Sequence, residues 1–368
     1  MNKKLIALAV AGAMATPAAM ADVSVYGQIH LSANMYSSGY GENDTADGAN
    51  HKTLGLSSNV SRIGVKGEEK LNNGWTAWFK GDWFVDWSNS RTMWKADDTK
   101  AGFKGDWGVL SLGRQAGPLK VLGRKTDLFG NTIGDTRAIT SEALTDARFA
   151  QSVAYVTPTM SGFTGIVAYT AGTDTGGEGV SPPVKKANAW TLAALYGNGP
   201  LFVGFAYEHL NKELIQQLIG TAGTADAAYK DWRLAGSYKI GDLKLLAHVG
   251  QGKAFTLNSG GTTRGTKRTV WGIGASYKMG NNVLKAQYAA AGKCKGCATE
   301  SSTKSSLWAI GVDHIMSKRV KVYALYAKMK NDSNAAATLG GHSGFGGQVA
   351  INDGVDPGAF SIGTVIKF

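Results

Sequence analysis

From Val23 onward the chain alternates apolar and polar residues with a period of two, the spacing of an extended strand whose successive side chains face opposite ways. Val23, Val25, Ile29, Leu31 and Met35 share one face near the N-terminus, with Ser24, Gln28, His30, Ser32 and Asn34 on the other. Trp75, Ala77, Phe79, Trp83, Val85 and Trp87 alternate with Thr76, Trp78, Lys80, Asp82 and Asp86. Leu201, Val203, Phe205 and Tyr207 repeat the pattern, as do Trp232, Leu234 and Tyr238. The final strand sets Phe360, Ile362, Thr364, Ile366 and Phe368 against Ser361, Gly363, Val365 and Lys367. Charges keep to one face, and large apolar residues dominate the other.

Short turns punctuate the strands at Leu71–Gly74, Gly105–Gly108, Gly197–Pro200, Ile240–Asp242, Met279–Asn282 and Met316–Arg319. Longer polar connections lie between them, around 37–53, 88–98, 172–187, 211–228, 252–267, 292–305 and 331–358. Short turns on one side and long loops on the other is the asymmetry of an outer-membrane barrel. The pattern predicts an all-β fold, a transmembrane antiparallel β-barrel of about 16 strands, an even number as bacterial barrels have. Closure removes the edge strands that so much β-sequence would otherwise expose. The apolar face then meets lipid and the polar face lines a lumen wide enough for water. Trp75, Trp87, Trp107, Trp190, Tyr196, Trp232, Tyr238, Trp271 and Tyr277 stand near strand ends, where interfacial aromatic girdles belong.

The beginning of the chain reads differently. Lys3 and Lys4 precede an apolar run from Leu5 to Ala15, and Ala19-Met20-Ala21 is a small-x-small cleavage site. This predicts a secretory signal peptide over 1–21 and a barrel domain over 22–368. The apolar run is too short to span a bilayer as a helix. Glycine is abundant, at 50 of 368 residues, and proline scarce at 7, with no Pro- or Ser-rich linker to divide the chain. The net charge is +12, of which Lys3 and Lys4 supply two. A basic excess suits nucleic acid, acidic membrane surfaces or anionic solutes; export argues against nucleic acid as a partner.

Several stretches carry a resemblance to a known family. They are Val25-Tyr-Gly-Gln28, Ser61-Arg-Ile-Gly-Val-Lys-Gly-Glu-Glu-Lys-Leu71, Gly108-Val-Leu-Ser-Leu-Gly-Arg-Gln115 and Gln151-Ser-Val-Ala-Tyr-Val-Thr-Pro158 with Ser161-Gly-Phe163. Asp313 to Arg319 and the terminal Phe368 complete the set. In this order the chain resembles the trimeric Gram-negative general porins of beta- and gammaproteobacteria. The resemblance implies a homotrimer of sixteen-stranded barrels in the outer membrane, amid its lipid and lipopolysaccharide, each passing small hydrophilic solutes and inorganic ions. It implies no cofactor, a barrel-assembly role for Phe368, and a third extracellular loop folded inward as a constriction. That loop falls at about 116–147, with helical turns expected near Pro118–Gly123 and Thr140–Ala147. Asp127-Leu-Phe-Gly130 stands where the family often has an acidic tip signature.

A constriction of this kind filters by electrostatics, with wall residues facing loop residues. On the wall the inward candidates are Arg62, Lys66, Lys80 and Arg148. Arg114 shares the parity of Leu110 and Leu112, so a bulge must turn it inward. The loop offers Asp127, Asp135, Glu142 and Asp146 along with Lys120, Arg124, Lys125 and Arg137, and is therefore neutral. A basic wall opposite loop acids predicts a transverse field and a weak preference for anions.

Other features bear less on the pore. Cys294-Lys-Gly-Cys297 in an exported chain is expected to close a small disulfide loop, with free thiols as the alternative. A redox or zinc site would need a βαβ context or further ligands. Asn211–Ile219, with helical spacing, is expected to cap a loop or touch a neighbouring subunit. Asp44, Asp47, Asp97 and Asp98 are placed in outer loops, where they could meet calcium or simply water. Three rival functions remain open. A barrel enzyme would need a gathered catalytic set, but the six histidines are dispersed and no G-x-S-x-G or H-E-x-x-H occurs. A substrate-specific channel for a sugar or anion would use Trp78 and Tyr26 beside Arg62 and Lys80, and would show saturable block. An adhesive barrel would conduct negligibly.

Overall fold

The alternating segments pair edge to edge in chain order. A computed structural model describes residues 22–37, 52–88, 94–140, 146–172, 187–219, 224–225, 228–254, 262–263, 266–297, 300–340 and 353–368. The predicted signal peptide, Asp44, Asp47 and Glu142 lie outside the described residues. The strands are β1 (Ser24–Ser37), β2 (Lys52–Ser58), β3 (Arg62–Lys70), β4 (Thr76–Val85), β5 (Trp94–Gly105), β6 (Gly108–Ala116), β7 (Arg148–Val156), β8 (Phe163–Thr170), β9 (Ala189–Asn198) and β10 (Leu201–Leu210). After a two-residue β11 (Thr224–Ala225) come β12 (Tyr229–Ile240) and β13 (Leu243–Ala254). A two-residue β14 (Thr262–Thr263) precedes β15 (Thr266–Met279), β16 (Asn282–Ala291), β17 (Ser305–Ile315), β18 (Val320–Asn331) and β19 (Gly358–Lys367). Three short helices occur among the described residues: α1 (Pro118–Lys125), α2 (Arg137–Thr140) and α3 (Lys212–Ile219).

β1 pairs antiparallel with β19 on one side, and with β2 and β3 on the other, so the sheet closes. β2 and β3 are two halves of a single barrel strand, because β1 matches Leu31–Ser37 to β2 and Ser24–Gln28 to β3. The wall is therefore a closed antiparallel barrel of sixteen strands, and among the described residues β11 and β14 pair apart from it. The seam is tied to the chain end, where the Gly27 amide donates to the Phe368 carbonyl at 3.1 Å. The short connections turn at the predicted places. At Gly241 and Gly280, φ of 58° and 57° puts the backbone in the left-handed region that glycine enters without steric cost.

The outer surface is apolar, as the alternation requires. Phe360, Ile362, Ile366 and Phe368 are exposed on the outside, while Ser361 and Val365 are buried inside. Aromatic side chains gather toward both strand ends. Trp75 packs on Trp107 with ring centroids 5.3 Å apart near the short turns, and Trp190 lies 5.1 Å from Tyr207 toward the long loops. No helix among the described residues is long and apolar enough to cross a membrane.

The inner face departs from the sequence expectation on one side. Strands β9, β10, β12 and β15–β18 turn small or apolar residues inward, among them Ala193, Ala206, Ala235, Leu307, Ala309, Leu325 and Ala327. These are buried because the segment between β6 and β7 folds into the barrel and covers them. Helix α1 seats Leu119 and Leu122 on Ala193, Ala206 and Ala235. Further along, Phe129, Ile133 and Ile139 join Leu307, Ala309, Leu325 and Ala327 in a second cluster. At Gly134 an added Cβ would lie 2.9 Å from that of Ala309, which shows how closely loop backbone and wall approach. The helix α3 also turns inward on its own chain: Leu214 and Ile215 are buried with Phe149, Leu210 and Tyr229. The neighbouring-subunit role for those two side chains is thus replaced by packing within the chain.

Candidate functional site

The inserted segment runs from Gly117 to Ala147 between β6 and β7, within one residue of the predicted bounds. Its first helix begins with Pro118, whose fixed φ suits the first helical turn. α1 spans Pro118–Lys125, two residues longer than predicted, and ends on Arg124 and Lys125, which complement the negative end of the helix dipole. A helical turn lies at Arg137–Thr140, and residues 141–145 of the turn expected over Thr140–Ala147 lie outside the described residues.

Asp146, at the loop's C-terminal end, holds it in place. Asp146 takes Arg137 Nε at 3.0 Å and, from the wall strand β12, Arg233 Nη1 at 3.0 Å. Arg233 Nη2 also donates to the Thr140 carbonyl at 2.8 Å, and Lys120 Nζ to the Asp146 carbonyl at 3.0 Å. The Asp146 amide donates to Glu208 on β10 at 3.1 Å. Burial alone would raise the Asp146 carboxyl, but Arg137, Arg233 and Lys120 outweigh it and hold it at about 2. Burial pushes the Lys120 ammonium down to about 7, with Arg137 adding to the shift.

At the tip, Gln287 of β16 clasps the turn from three directions. It accepts from the Leu128 amide at 2.9 Å and donates to Asp127 at 3.1 Å and to the Gly134 carbonyl at 2.7 Å. Lys285 donates to the Leu128 carbonyl at 3.1 Å and lies 4.5 Å from the centre of the Phe129 ring. Asp135 takes Arg124 at 3.0 Å and the Asn131 and Arg137 amides at 2.9 Å each. Burial opposes ionisation there, yet Arg124 and Arg137 keep Asp135 well below the usual carboxylate range, while burial and the adjacent Asp135 push Asp127 well above it.

This corrects the expected placement of the loop charges. Asp135 and Asp146 are almost fully buried in the loop's own braces, as is the Lys120 side chain. They do not face a basic wall across water. A loop acid 0–1% exposed is spent on holding the loop, not on solutes.

Arg62 on β3, Lys80 on β4, Lys100 on β5 and Arg148 at the start of β7 converge on Asp82, Asp97 and Asp98. Arg148 Nε reaches Asp97 at 2.5 Å and Asp98 at 2.9 Å; Lys80 Nζ reaches Asp82 at 2.7 Å; Arg62 lies 3.7 Å from Asp97. Asp82 also accepts from the Tyr26 hydroxyl, and Lys66 lies over the Tyr26 ring at 5.2 Å. Asp97 and Asp98 are a second correction. They belong to β5, not to an outer loop, because that strand begins at Trp94. The pairing slips between Gly81 and Trp83, so Asp97 and Asp98 are an adjacent pair at a bulge. Both engage inner-wall cations, and no group of three or more His, Cys, Asp or Glu side chains able to hold a metal occurs among the described residues.

Exposure separates the two signs of charge. The side chains of Arg62, Lys80, Lys100 and Arg148 are 33, 30, 21 and 20% exposed, against 0% for Asp97, 1% for Asp82 and 14% for Asp98. The cations stand in front and their counter-charges behind. A smaller triad, Lys285–Asp313–Lys321, sits across the barrel with contacts of 2.7 and 2.8 Å. Arg114 is at the register slip between Gly113 and Gln115; its Nε is enclosed without a hydrogen-bond partner and it forms no ion pair among the described residues. Lys100 was missed although Lys100 and Lys104 alternate with Ala101 and Phe103. The bulge acids left no periodic signal, since a bulge interrupts the period. Cys294 and Cys297 are disulfide-bonded, with Cα atoms 5.7 Å apart, in the connection between β16 and β17.

A closed sixteen-stranded barrel with an apolar exterior, an inserted loop and a cation-fronted lumen is an outer-membrane channel. The Gram-negative porin profile matches residues 7–334, and the chain belongs to that family. It is 28% identical to outer membrane porin protein 32 of Delftia acidovorans, over 92% of each chain. An outer membrane porin protein of Bordetella pertussis is 27% identical over 90% of this chain and 95% of its own. Among solved structures, an anion-selective porin from Comamonas acidovorans superposes with a TM-score of 0.73 at 21% identity, covering 95% of this chain and 100% of that one. The protein is a porin of the Gram-negative outer membrane, a channel and not an enzyme.

Proposed function

We propose that the channel passes small hydrophilic solutes and ions by passive diffusion with a weak preference for anions, as a homotrimer. The observation that carries the selectivity is the layering at the constriction wall. Arg62, Lys80, Lys100 and Arg148 meet the lumen while Asp82 and Asp97 lie almost wholly behind them. A passing ion feels the nearer charge more strongly, because Coulomb energy falls with distance and the aqueous lumen screens what lies behind. Four cations against three acids also leave a surplus. The anion selectivity named for the Comamonas structure is in keeping with this reading, as is the trimer form named for a Vibrio cholerae outer-membrane protein of TM-score 0.65.

The test is planar-bilayer conductance of the purified protein under a salt gradient. Steps in groups of three and an anion-directed reversal potential are expected. Arg62→Glu with Lys80→Glu should move the reversal potential toward cations without closing the pore. An unchanged reversal potential in that variant would remove these residues from the filter, and saturable block by a single solute would favour a substrate-specific channel.

A further inference from the structure

The loop tip holds two carboxyl groups in contact with each other. Asp127 and Asp135 lie within hydrogen-bonding reach across the turn between α1 and α2. Asp135 has its donors: Arg124 Nη1 at 3.0 Å and the Asn131 amide at 2.9 Å meet one oxygen, and the Arg137 amide at 2.9 Å meets the other. Asp127 is served on one side only. Its Oδ1 accepts from the Phe129 amide at 2.9 Å and from Gln287 Nε2 at 3.1 Å. Its Oδ2 is enclosed and meets no donor among the described residues. A Cβ added at Gly130 would lie 3.1 Å from Arg124 Nη1 and 3.7 Å from Asp127 Oδ2, so the turn's own backbone closes over this oxygen.

The cations packed around Asp127 are committed elsewhere. Arg124 from α1 binds Asp135, and Arg137 from α2 binds Asp146. Lys285 from β16 reaches Asp313 of β17 at 2.7 Å and the Leu128 carbonyl at 3.1 Å, and Lys321 of β18 takes the other Asp313 oxygen at 2.8 Å. Among the described residues none of these cations bonds to Asp127. A turn-capping aspartate needs only the Oδ1 contacts, and that role leaves Oδ2 facing an anion. Two bare carboxylates in contact, closed to water, repel each other strongly. One proton between them removes the repulsion and supplies the missing donor. Burial and the adjacent Asp135 both favour the protonated form of Asp127, against the weaker pull of the Phe129 amide and Gln287.

We propose that Asp127 is a positioning residue that keeps one proton on Oδ2 and donates it to Asp135, a latch that pins the tip of the pore loop and releases it when the proton leaves. The bond closes the turn 127–135 on itself. It holds Asp127 Oδ1 toward Gln287 and, through the Phe129 amide, keeps the Phe129 ring seated among Leu307, Ala309 and Leu325. Loss of the proton sets two like charges against each other in a closed site. The turn then opens and the tip leaves Gln287, while Asp146 and Arg233 still hold the loop's far end. The sign follows from the raised Asp127 value: the latch's contribution is full below the ordinary 3.8 and is lost as pH rises through the raised one. The latch rests on the loop's place inside the barrel and is independent of the ion preference proposed above.

The test joins infrared spectroscopy to single-channel recording on the full-length protein. Wild type isotopically labelled at its aspartate carboxyl carbons should show the C=O stretch of a protonated aspartate at about pH 5, where ordinary aspartates are ionised. Asp127→Asn should remove that signal, since the amide stands in for the protonated acid: its Nδ2 donates to Asp135 and its Oδ1 still accepts from Phe129 and Gln287. In bilayers, wild-type open-channel noise should rise as pH climbs through the Asp127 titration, the mark of a loosened tip. Noise in Asp127→Asn should stay at the low level over the same range, and Asp127→Ala, with neither donor nor acceptor, should be noisy at every pH. An anion-directed reversal potential should persist in Asp127→Asn, so that failure of the latch and failure of the ion preference are read separately. Absence of any protonated aspartate in the labelled wild type would overturn the latch without recourse to a variant. An undiminished signal in Asp127→Asn would overturn it equally, as would noise that follows pH alike in Asp127→Asn and wild type.

Discussion

The inner wall has two halves with the same strand geometry and opposite chemistry. From β3 to β7 it presents Arg62, Lys80, Lys100 and Arg148 over Asp82, Asp97 and Asp98. From β9 to β18 it presents mainly alanines and leucines, roofed by α1 and the loop tip, together with the loop-bracing Glu208, Arg233 and Gln287 and the Lys285–Asp313–Lys321 triad. A lumen residue in contact with water must be polar, whereas one covered by the loop must be small and apolar. The difference teaches that the loop is part of the wall's design. On the function proposed above, one half handles ions and the other half positions the loop beside their path. The charged knot around Asp146 belongs to the second half, for it joins loop to wall through fully enclosed groups.

The largest break in this division should come from Asp146→Ala. Arg137 and Arg233 would be left buried without their shared carboxylate, a loss of ~3–5 kcal/mol for breaking a buried pair. The loop should leave its seat. We expect higher single-channel conductance and new proteolytic cleavage within 117–147, with the barrel's resistance to detergent unfolding retained.

A smaller effect is expected from overfilling the seat. Ala206→Phe or Ala309→Phe should cost about 1–3 kcal/mol, the usual range for excess volume in a packed core. Because the wall is held by its hydrogen-bond ladder, the strain should displace the loop toward the lumen. Conductance should fall, while the reversal potential stays near the wild-type value. A conductance equal to wild type in both variants would mean that the loop does not rest on these residues.

The mildest sharpening comes from acid. Asp146 titrates at about 2 in place against an ordinary 3.8, so its contribution to loop seating is full above 3.8 and is lost as pH falls toward 2. Conductance should rise over that interval as the loop loosens. Lys120 bears the opposite relation: its lowered value of about 7 against 10.5 makes seating strengthen as pH climbs between them. Lys120→Met should remove the alkaline limb and leave the acid one. Identical pH profiles in the two proteins would detach Lys120 from the seat.

The barrel was legible because a period-two pattern and alternating turn lengths are local signals repeated sixteen times. The loop's boundaries were legible too, since strand alternation stops at Ala116 and resumes at Arg148. What escaped was everything set by contact between distant segments. Asp127, Asp135 and Asp146 are spaced like pore acids, and only their partners Gln287, Arg124 and Arg233 reveal them as braces. Asp97 and Asp98 defied periodic reading because the bulge breaks the period. The apolar inner faces of β17 and β18 did leave a trace: Leu307 and Ala309, like Leu325 and Ala327, fill the positions where a water-facing wall would carry polar side chains. Such two-faced apolar strands inside a barrel point to something covering the lumen side.

The alanines beneath the loop carry a consequence for inheritance. Ala193, Ala206, Ala235, Ala309 and Ala327 are buried beneath the loop; on the proposal that the loop narrows the passage, their bulk helps to set how wide it stands. Exchange at one of them would alter which molecules enter the cell while leaving every pore-lining residue unaltered. A survey of permeability variants confined to the lumen surface would overlook such changes. Uptake of bulky antibiotics could then drift through substitutions that look, by position, like silent repacking.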